Sequence, residues 1–303
     1  MKRHIPVLLG SVESLLNPQV GDCFADLTAG YGGHSEMLLS KVGSNGYGYL
    51  FDKDPDAIRA LKAKFSNVSN VSIKHADFNN LDWENDMPLV DMILADIGVS
   101  SPQIDQPTRG FSFEAEGPLD MRMDTTQEIT AEKIVSSYSE RDLADILYKY
   151  GEERASRKIA KAIVQARVTE PIKTTTQLAE IIKGCIKHKT KINPATRSFQ
   201  ALRIEVNNEL KALEMLLQNG PAKLNKGGRM AVISFHSLED RMVKQAFKKL
   251  ATPVYNDFGQ VVSEPEYRLV TKKPSKGSEF DKTNPRARSA KLRVVEKIIK
   301  KQK

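Results

Sequence analysis

Four short apolar runs, CFADL (23–27), YGYLFD (47–52), VSIKHAD (71–77) and LVDMILADI (89–97), alternate with segments of helical spacing. SEMLLSKV follows the first run, and PDAIRALKAKF follows the second with Pro55 where its fixed φ suits a helix start. Strands alternating with helices imply βαβ units, hence an α/β fold built on a parallel sheet. Ligands of such open sheets bind beyond the strands' carboxyl ends. Acids stand there, Asp26, Asp52 and Asp96 among them.

The next good strand candidate, RMAVISFH (229–236), begins 132 residues after the fourth run ends. One crossover helix needs only about a dozen residues, so something of domain size is inserted. The sequence therefore predicts a discontinuous sheet domain, 1–104 with 201–303, around an all-helical insertion at 105–200. Within EERASRKIAKAIVQARV, Ala155, Ile159, Ile163 and Ala166 form one apolar stripe, with Arg154, Arg157, Lys158 and Lys161 elsewhere. Thr175 or Thr176 is expected to cap the LAEIIKGCI helix. From Pro194, the positions Phe199, Leu202, Val206, Leu210, Leu213 and Leu217 predict one long amphipathic helix ending at Gly220-Pro221. Ser237 with Asp240 resembles a capping box for the helix after RMAVISFH, although Asp replaces the usual Glu or Gln. YRLVT and KLRVVEKI supply two last strands, and KKPSKGSEFDKTNPRARS reads as a mobile loop.

Charge is segregated along the chain. The net charge is +8, yet residues 268–303 hold thirteen Lys or Arg against three acids and residues 151–203 twelve against four, while residues 104–150 hold five against ten. Such separation points to a polyanionic partner, nucleic acid above all; the alternative is solvated helix faces and a solubilising tail. Cys23 and Cys185 stand far apart and outside any Cys-x-x-Cys pattern, which argues against a disulfide framework or a zinc site and for a reducing cytosol. The five-residue apolar run IPVLL is shorter than a secretory core, and no later run approaches membrane-span length. A soluble cytoplasmic protein is expected, with no metal and no membrane partner; a homodimer is left open.

In DLTAGYGGH (26–34), Gly30, Gly32 and Gly33 lie between a strand and a helix, where glycine allows positive φ and close backbone approach to a ligand. The spacing G-x-G-G lacks the third glycine of a dinucleotide fingerprint. Acids at successive strand ends suit S-adenosylmethionine, which carries no phosphate and presents an amino acid, a ribose and an adenine. On that reading Asp52 accepts the ribose hydroxyls, Asp77 and Phe78 lie by the adenine, and Asp26 faces the ammonium side. Loop capping is the alternative for each acid. His34 and His236 are candidates for proton transfer or for structural roles, and His4, His75 and His188 have weaker claims. The loop DIGVSSPQ (96–103) offers no Cys, Lys or adjacent His that would activate a serine, so it reads as a positioning loop.

DLTAGYGGHS, FDKDPDAI, LADIGVSSPQIDQPTRGFSF, GPLDMRM, YGEERASRKIAKAIV, NPATRSFQALRIEVNNEL, ISFHSLEDRMVK and NPRARSAKLRV together resemble the ribosomal RNA small subunit methyltransferase H, or MraW, family, nearly end to end. The resemblance implies a Rossmann-like class I methyltransferase sheet with an inserted helical domain. It further implies methylation of the exocyclic 4-amino group of a cytidine in the decoding region of 16S rRNA in the small ribosomal subunit, with S-adenosylmethionine as cofactor. By the same resemblance, cofactor contacts fall on Gly32, Gly33, His34, Asp52, Phe78, Asp96 and Gln103.

A cytosine amine is a poor nucleophile because its lone pair is delocalised into the ring, so acceptors must hold the NH2 group while it is aligned with the methyl. DNA amino-methyltransferases do this with a Ser or Asp, Pro, Pro, aromatic loop after the fourth strand. Ser100-Ser101-Pro102-Gln103 sits in a comparable place but has one proline, and Gln103 replaces the aromatic. Asp96, with Ser100, Ser101 and neighbouring backbone oxygens, is expected to orient the amine, and Phe111 or Phe113 to stack on a flipped base. Arg154, Lys158 and Arg197 in the first basic block, with Arg286 and Arg288 in NPRARS, are candidate phosphate contacts. Competing readings are a DNA-directed amino-methyltransferase, a non-catalytic rRNA-binding assembly factor and, least favoured, a nicotinamide dehydrogenase.

Overall fold

The computed structural model describes residues 6–186 and 193–298. His4 and His188 lie outside the described residues. Helix α1 (Leu9–Leu16) precedes β1 (Cys23–Asp26), α2 (Gly33–Val42), β2 (Tyr47–Asp52), α3 (Pro55–Lys64), β3 (Val71–His75) and β4 (Val90–Asp96). Helices α4 (Ser101–Asp105), α5 (Ala131–Ser137), α6 (Glu140–Gly151), α7 (Ser156–Thr169), α8 (Thr175–Cys185), α9 (Thr196–Asn207) and α10 (Glu209–Asn219) follow. The chain then forms β5 (Leu224–Ser234), α11 (Ser237–Leu250), a hairpin of β6 (Val254–Tyr255) and β7 (Val261–Ser263), β8 (Tyr267–Leu269), β9 (Ser275–Lys276), α12 (Gly277–Phe280) and β10 (Lys291–Lys297).

The main sheet runs β3-β2-β1-β4-β5-β10-β8, with β9 also on β10. Strands β1 to β5 are mutually parallel, and β10 is antiparallel to both β5 and β8. This is the Rossmann-like α/β sheet expected from the alternating runs, and its order reverses between β1 and β4, where ligands of such sheets bind. Residues separate into two compact units: one runs up to Gly98 and resumes at Lys211, and the other is Val99–Leu210. The helical unit is thus wider at both ends than the 105–200 expected.

In the sheet unit, alternate strand residues bury opposite ways, as a period of two requires. Phe24, Leu50, Leu94 and Ile233 join Val12, Leu38 and Leu61 on one face. Ala25, Phe51, Ile93 and Val232 join Trp83, Leu216 and Phe247 on the other. Both faces are therefore covered, as parallel sheets demand. The helical unit has its own core, in which Leu143, Leu147, Leu178 and Leu202 gather with Ile159 and Ile163 of the anticipated stripe. Each such fully buried side chain contributes about 1.5–3 kcal/mol relative to exposure. Among the described residues no helix is long and apolar enough to cross a membrane.

Four local expectations are corrected. Helix α8 is capped by Thr174, not Thr175 or Thr176: its hydroxyl accepts from Gln177 N while Gln177 Oε1 accepts from Thr174 N. That reciprocal pair needs a Gln three residues on, which only Thr174 has. Helix α11 is capped by His236 with Glu239, leaving Asp240 to bond Lys291 Nζ and Arg293 Nε at 2.9 and 2.8 Å. The long helix after Pro194 is two helices, broken at Asn208 (φ 49°), a residue type that tolerates the left-handed region. The stretch read as a mobile loop contains β9 and α12 and buries Ala287. A Cβ at Gly277 would lie 1.7 Å from the Ala287 carbonyl oxygen, so the close approach admits only glycine.

Asn207 holds the GPLDMRM segment within the helical unit. Its Oδ1 accepts from Met123 N at 2.7 Å, and its Nδ2 donates to the carbonyls of Met121 and Arg203 at 2.8 and 2.9 Å. Asn207→Ala strands buried backbone groups at a cost of about 1–3 kcal/mol each. We expect a loss of about 3 kcal/mol in denaturant unfolding followed by helical circular dichroism; a loss below about 0.5 kcal/mol would show that these bonds are dispensable.

Candidate active site

Register brings the strand-end acids together. Asp26 of β1 is paired with Leu50 in β2 and Leu94 in β4, so Asp52 and Asp96, two residues further on, emerge on the same side of the sheet one pleat beyond. Asp26 is almost wholly buried and accepts from Ser35 Oγ at 2.6 Å and Thr28 N at 3.3 Å. Asp52 accepts from Gly30 N at 2.7 Å and Asp54 N at 2.8 Å. Asp96 anchors its backbone instead, its N–H donating to Thr28 Oγ1 at 2.6 Å, and among the described residues its buried Oδ1 meets no donor.

The electrostatics follow from that crowding. Burial, with Asp26 and Glu239 adding negative charge, pushes the Asp96 carboxyl up to about 8. Burial likewise pushes Asp26 up to about 7, against the bonds from Ser35 and Thr28, and the charge of Asp52 adds to the rise. Asp52 rises to about 6 through burial, restrained by the N–H groups of Asp54 and Gly30. Three carboxyls with raised proton affinity at one sheet edge form a site that a cationic, donor-rich ligand would relieve.

The glycine turn is shaped first by the protein itself. Gly30 and Gly32 have φ of 53° and 76°. A Cβ on Gly32 would sit 2.8 Å from Phe65 Cε2, and one on Gly33 would sit 2.4 Å from Pro6 Cγ. His34 is buried, with Nε2 2.9 Å from the Val7 carbonyl oxygen. A carbonyl only accepts, which places a proton on Nε2 and leaves Nδ1 facing Asp96 Oδ2, 3.8 Å away. His236 is a helix cap whose Nε2 lies 3.0 Å from Glu239 Oε1, and His75 holds the Lys53 carbonyl at 2.9 Å. Both therefore have structural tasks.

Phe78 is half-buried against the face that holds Phe51. Asp77 accepts from Asn79 N at 3.2 Å and lies 3.5 Å from Lys53 Nζ, so loop capping accounts for part of its role. In the helical unit, Gln103 is buried and its Oε1 accepts from Ser100 N at 2.9 Å as one half of a capping box at the start of α4, and Ser101 is buried. Phe111 and Phe113 pack against the helical core, Phe113 edge-on to Phe199 at 4.9 Å. Arg154 and Arg197 are exposed, as are Arg286 and Arg288 in the sheet unit. Lys158 is exposed but spends its ammonium on the Cys185 carbonyl at 2.6 Å.

Sequence reasoning missed Thr28, Ser35, Asn79 and Glu239. Asn79 Oδ1 is a second buried acceptor without a donor among the described residues, and Glu239 adds its charge to Asp96. Thr28 and Ser35 lie in the glycine-turn motif, whereas the bond from Thr28 to Asp96 and the charge of Glu239 beside Asp96 depend on segments far apart in sequence coming together. The residues present fit S-adenosylmethionine: the Asp96 oxygen that meets no donor among the described residues suits its donors, and the acids suit its positive charge. Asp52 keeps lone pairs for a ribose even with both backbone bonds made.

A sheet of this order with acids closing β1, β2 and β4 is an open Rossmann-like site, and the family to which the chain belongs makes it an S-adenosylmethionine-dependent methyltransferase. The chain belongs to the MraW methylase family, whose model matches residues 1–298. The ribosomal RNA small subunit methyltransferase H of Caldicellulosiruptor saccharolyticus is 45% identical over 307 residues, covering 98% of this chain and 100% of that protein. The protein of the same name from Clostridium botulinum is 44% identical over 306 residues, covering 98% and 99%. Among solved structures, an rRNA methylase from Streptococcus thermophilus is similar over 99% of each chain, with a TM-score of 0.42 and 13% identity.

The raised carboxyls carry a pH signature. An unfolded Asp titrates near 3.8, whereas these titrate at about 6, 7 and 8, so between those limits the folded state holds protons that the unfolded state has released. Their stabilising contribution is complete below about pH 4 and is lost as pH rises through about 8. The cofactor-free protein should therefore melt at falling temperature between pH 5 and 8.5. Asp96→Asn should flatten that slope and raise the midpoint at pH 8.5 by on the order of 5 °C; an unchanged slope would contradict the assignment.

Proposed function

We propose that this protein methylates the exocyclic 4-amino group of a cytidine in the decoding region of 16S rRNA within the small ribosomal subunit. The relatives' printed names support the substrate class. One structural observation carries the chemistry: Asp96, at the end of β4, offers a buried oxygen that no donor among the described residues meets.

S-adenosylmethionine supplies a methyl group already activated on a sulfonium, so no covalent nucleophile is required of the protein. Asp52 receives the ribose hydroxyls, and Asp26 with Asp96 gives the negative field that favours the cationic end. Asp96 also accepts an N–H of the cytosine amine, which turns the nitrogen lone pair out of conjugation. As the new N–C bond forms, the amine gives up a proton, and Asp96 can take it once the cationic cofactor has displaced the proton that burial otherwise favours there. Ser100 and Ser101 are proposed to assist in holding the amine. Gln103 is proposed as a cofactor contact; its Oε1 accepts from Ser100 N. Phe111 is the stronger stacking candidate because Phe113 is engaged by Phe199.

Asp96→Asn keeps the shape and removes the negative charge. Methyl transfer to assembled small subunits should fall about 10²- to 10⁴-fold at saturating cofactor, while duplex DNA should remain unmodified by the wild type. Normal cofactor binding together with wild-type transfer in this variant would reject the role.

For the RNA, Arg286 and Arg288 are proposed phosphate contacts. Replacing both by Ala should reduce the slope of log affinity against log salt by roughly 2, about one for each contact removed. A slope unchanged in filter binding at graded potassium chloride would assign them to solubility instead.

A further inference from the structure

We propose that Asp281, at the end of α12, is a positioning residue for the cofactor site: its carboxylate fixes a left-handed turn at Leu8 that sets the Val7 carbonyl against His34. This rests on the S-adenosylmethionine reading and adds to it a residue 185 positions beyond Asp96 in the chain.

Each link is a contact within the sheet unit. Leu8 has φ 56° and ψ 29°, a conformation disfavoured for a branched side chain, and that side chain is buried. A residue stays in that region only when its surroundings over-determine it. The determinant is Asp281, whose Oδ2 accepts the Leu8 N–H at 2.9 Å. As the cap of α1, Leu8 has no helical acceptor for that N–H, and a carboxylate at a helix N-terminus is favoured by the dipole as well.

The turn then aims two neighbours. Pro6 closes over the glycine turn, occupying the space that a Cβ on Gly33 would need. The Val7 carbonyl holds His34 Nε2 at 2.9 Å, which leaves Nδ1 facing Asp96 Oδ2 at 3.8 Å. Without this acceptor the imidazole could exchange its proton between nitrogens and would lose its fixed orientation beside the carboxylate.

Asp281 is held firmly enough for the task. Its backbone N–H donates to the Gly277 carbonyl at 2.8 Å, and its own carbonyl accepts from Asn284 N at 3.2 Å. Gly277 is in turn locked against Ala287. The Pro-Val-Leu stretch at 6–8 and Asp281 thereby acquire a shared part.

The test pairs calorimetric binding of S-adenosylmethionine with nitrogen NMR of the imidazole of His34 in the full chain. In the wild type, His34 should carry its proton on Nε2. Asp281→Ala should weaken cofactor binding about tenfold and give a mixture of tautomers. Asp281→Asn, whose amide oxygen accepts the same N–H, should stay within about threefold of wild type and keep the Nε2 proton. Wild-type affinity and a single Nε2–H tautomer in Asp281→Ala would overturn the proposal. So would a proton on Nδ1 in the wild type, a result that does not depend on either variant folding. If the wild type failed to bind S-adenosylmethionine, the cofactor reading would fall, and the His34 tautomer in Asp281→Ala would still decide the positioning role.

Discussion

Parallel pairing of β1 with β2 and β4 is the constraint on which the sheet unit's chemistry depends. With Asp26 paired to Leu50 and Leu94, the pleat delivers Asp52 and Asp96 to the same side one step further out. Burial there denies all three carboxyls full hydration, and Glu239 at the start of α11 adds charge beside Asp96. The sheet thus builds a site whose carboxyls bind protons more tightly than free ones do. A one-residue slip in either pairing would send an acid to the opposite face and dissolve it.

The protein spends ordinary structural devices to keep this edge in place. Thr28 bonds the backbone of Asp96, Ser35 the side chain of Asp26, and the glycine turn folds back so that Gly30 N meets Asp52. Gly32 and Gly33 show how a motif read for a ligand also answers to packing, since Phe65 and Pro6 occupy the volumes their side chains would fill. The helical unit is stabilised separately by its own apolar core, and buried Asn207 ties the irregular segment at 121–123 to α9.

The strands were legible because acids terminate short apolar runs, and the insertion because no crossover helix spans such a gap. Capping was less legible. Thr174 and His236 win over their neighbours because a glutamine or glutamate lies three residues on, and the choice between adjacent candidates turns on backbone direction rather than composition. The break at Asn208 was hidden because the apolar spacing on either side continues in phase. The segment at 272–289 looked like a loop from its Lys, Ser and Pro content, yet two small residues, Gly277 and Ala287, let it pack tightly.

By itself the sequence determined the alternation of strands and helices, the acids at three strand ends, the glycine turn and the basic segments, because each is a local pattern set by period or residue type. Only the tertiary structure decided which carboxyls crowd one another, that one Asp96 oxygen is unmatched among the described residues, and that Asp281 reaches Leu8 from the far end of the chain. Those are matters of distance and desolvation between segments far apart in sequence, and no local pattern encodes them.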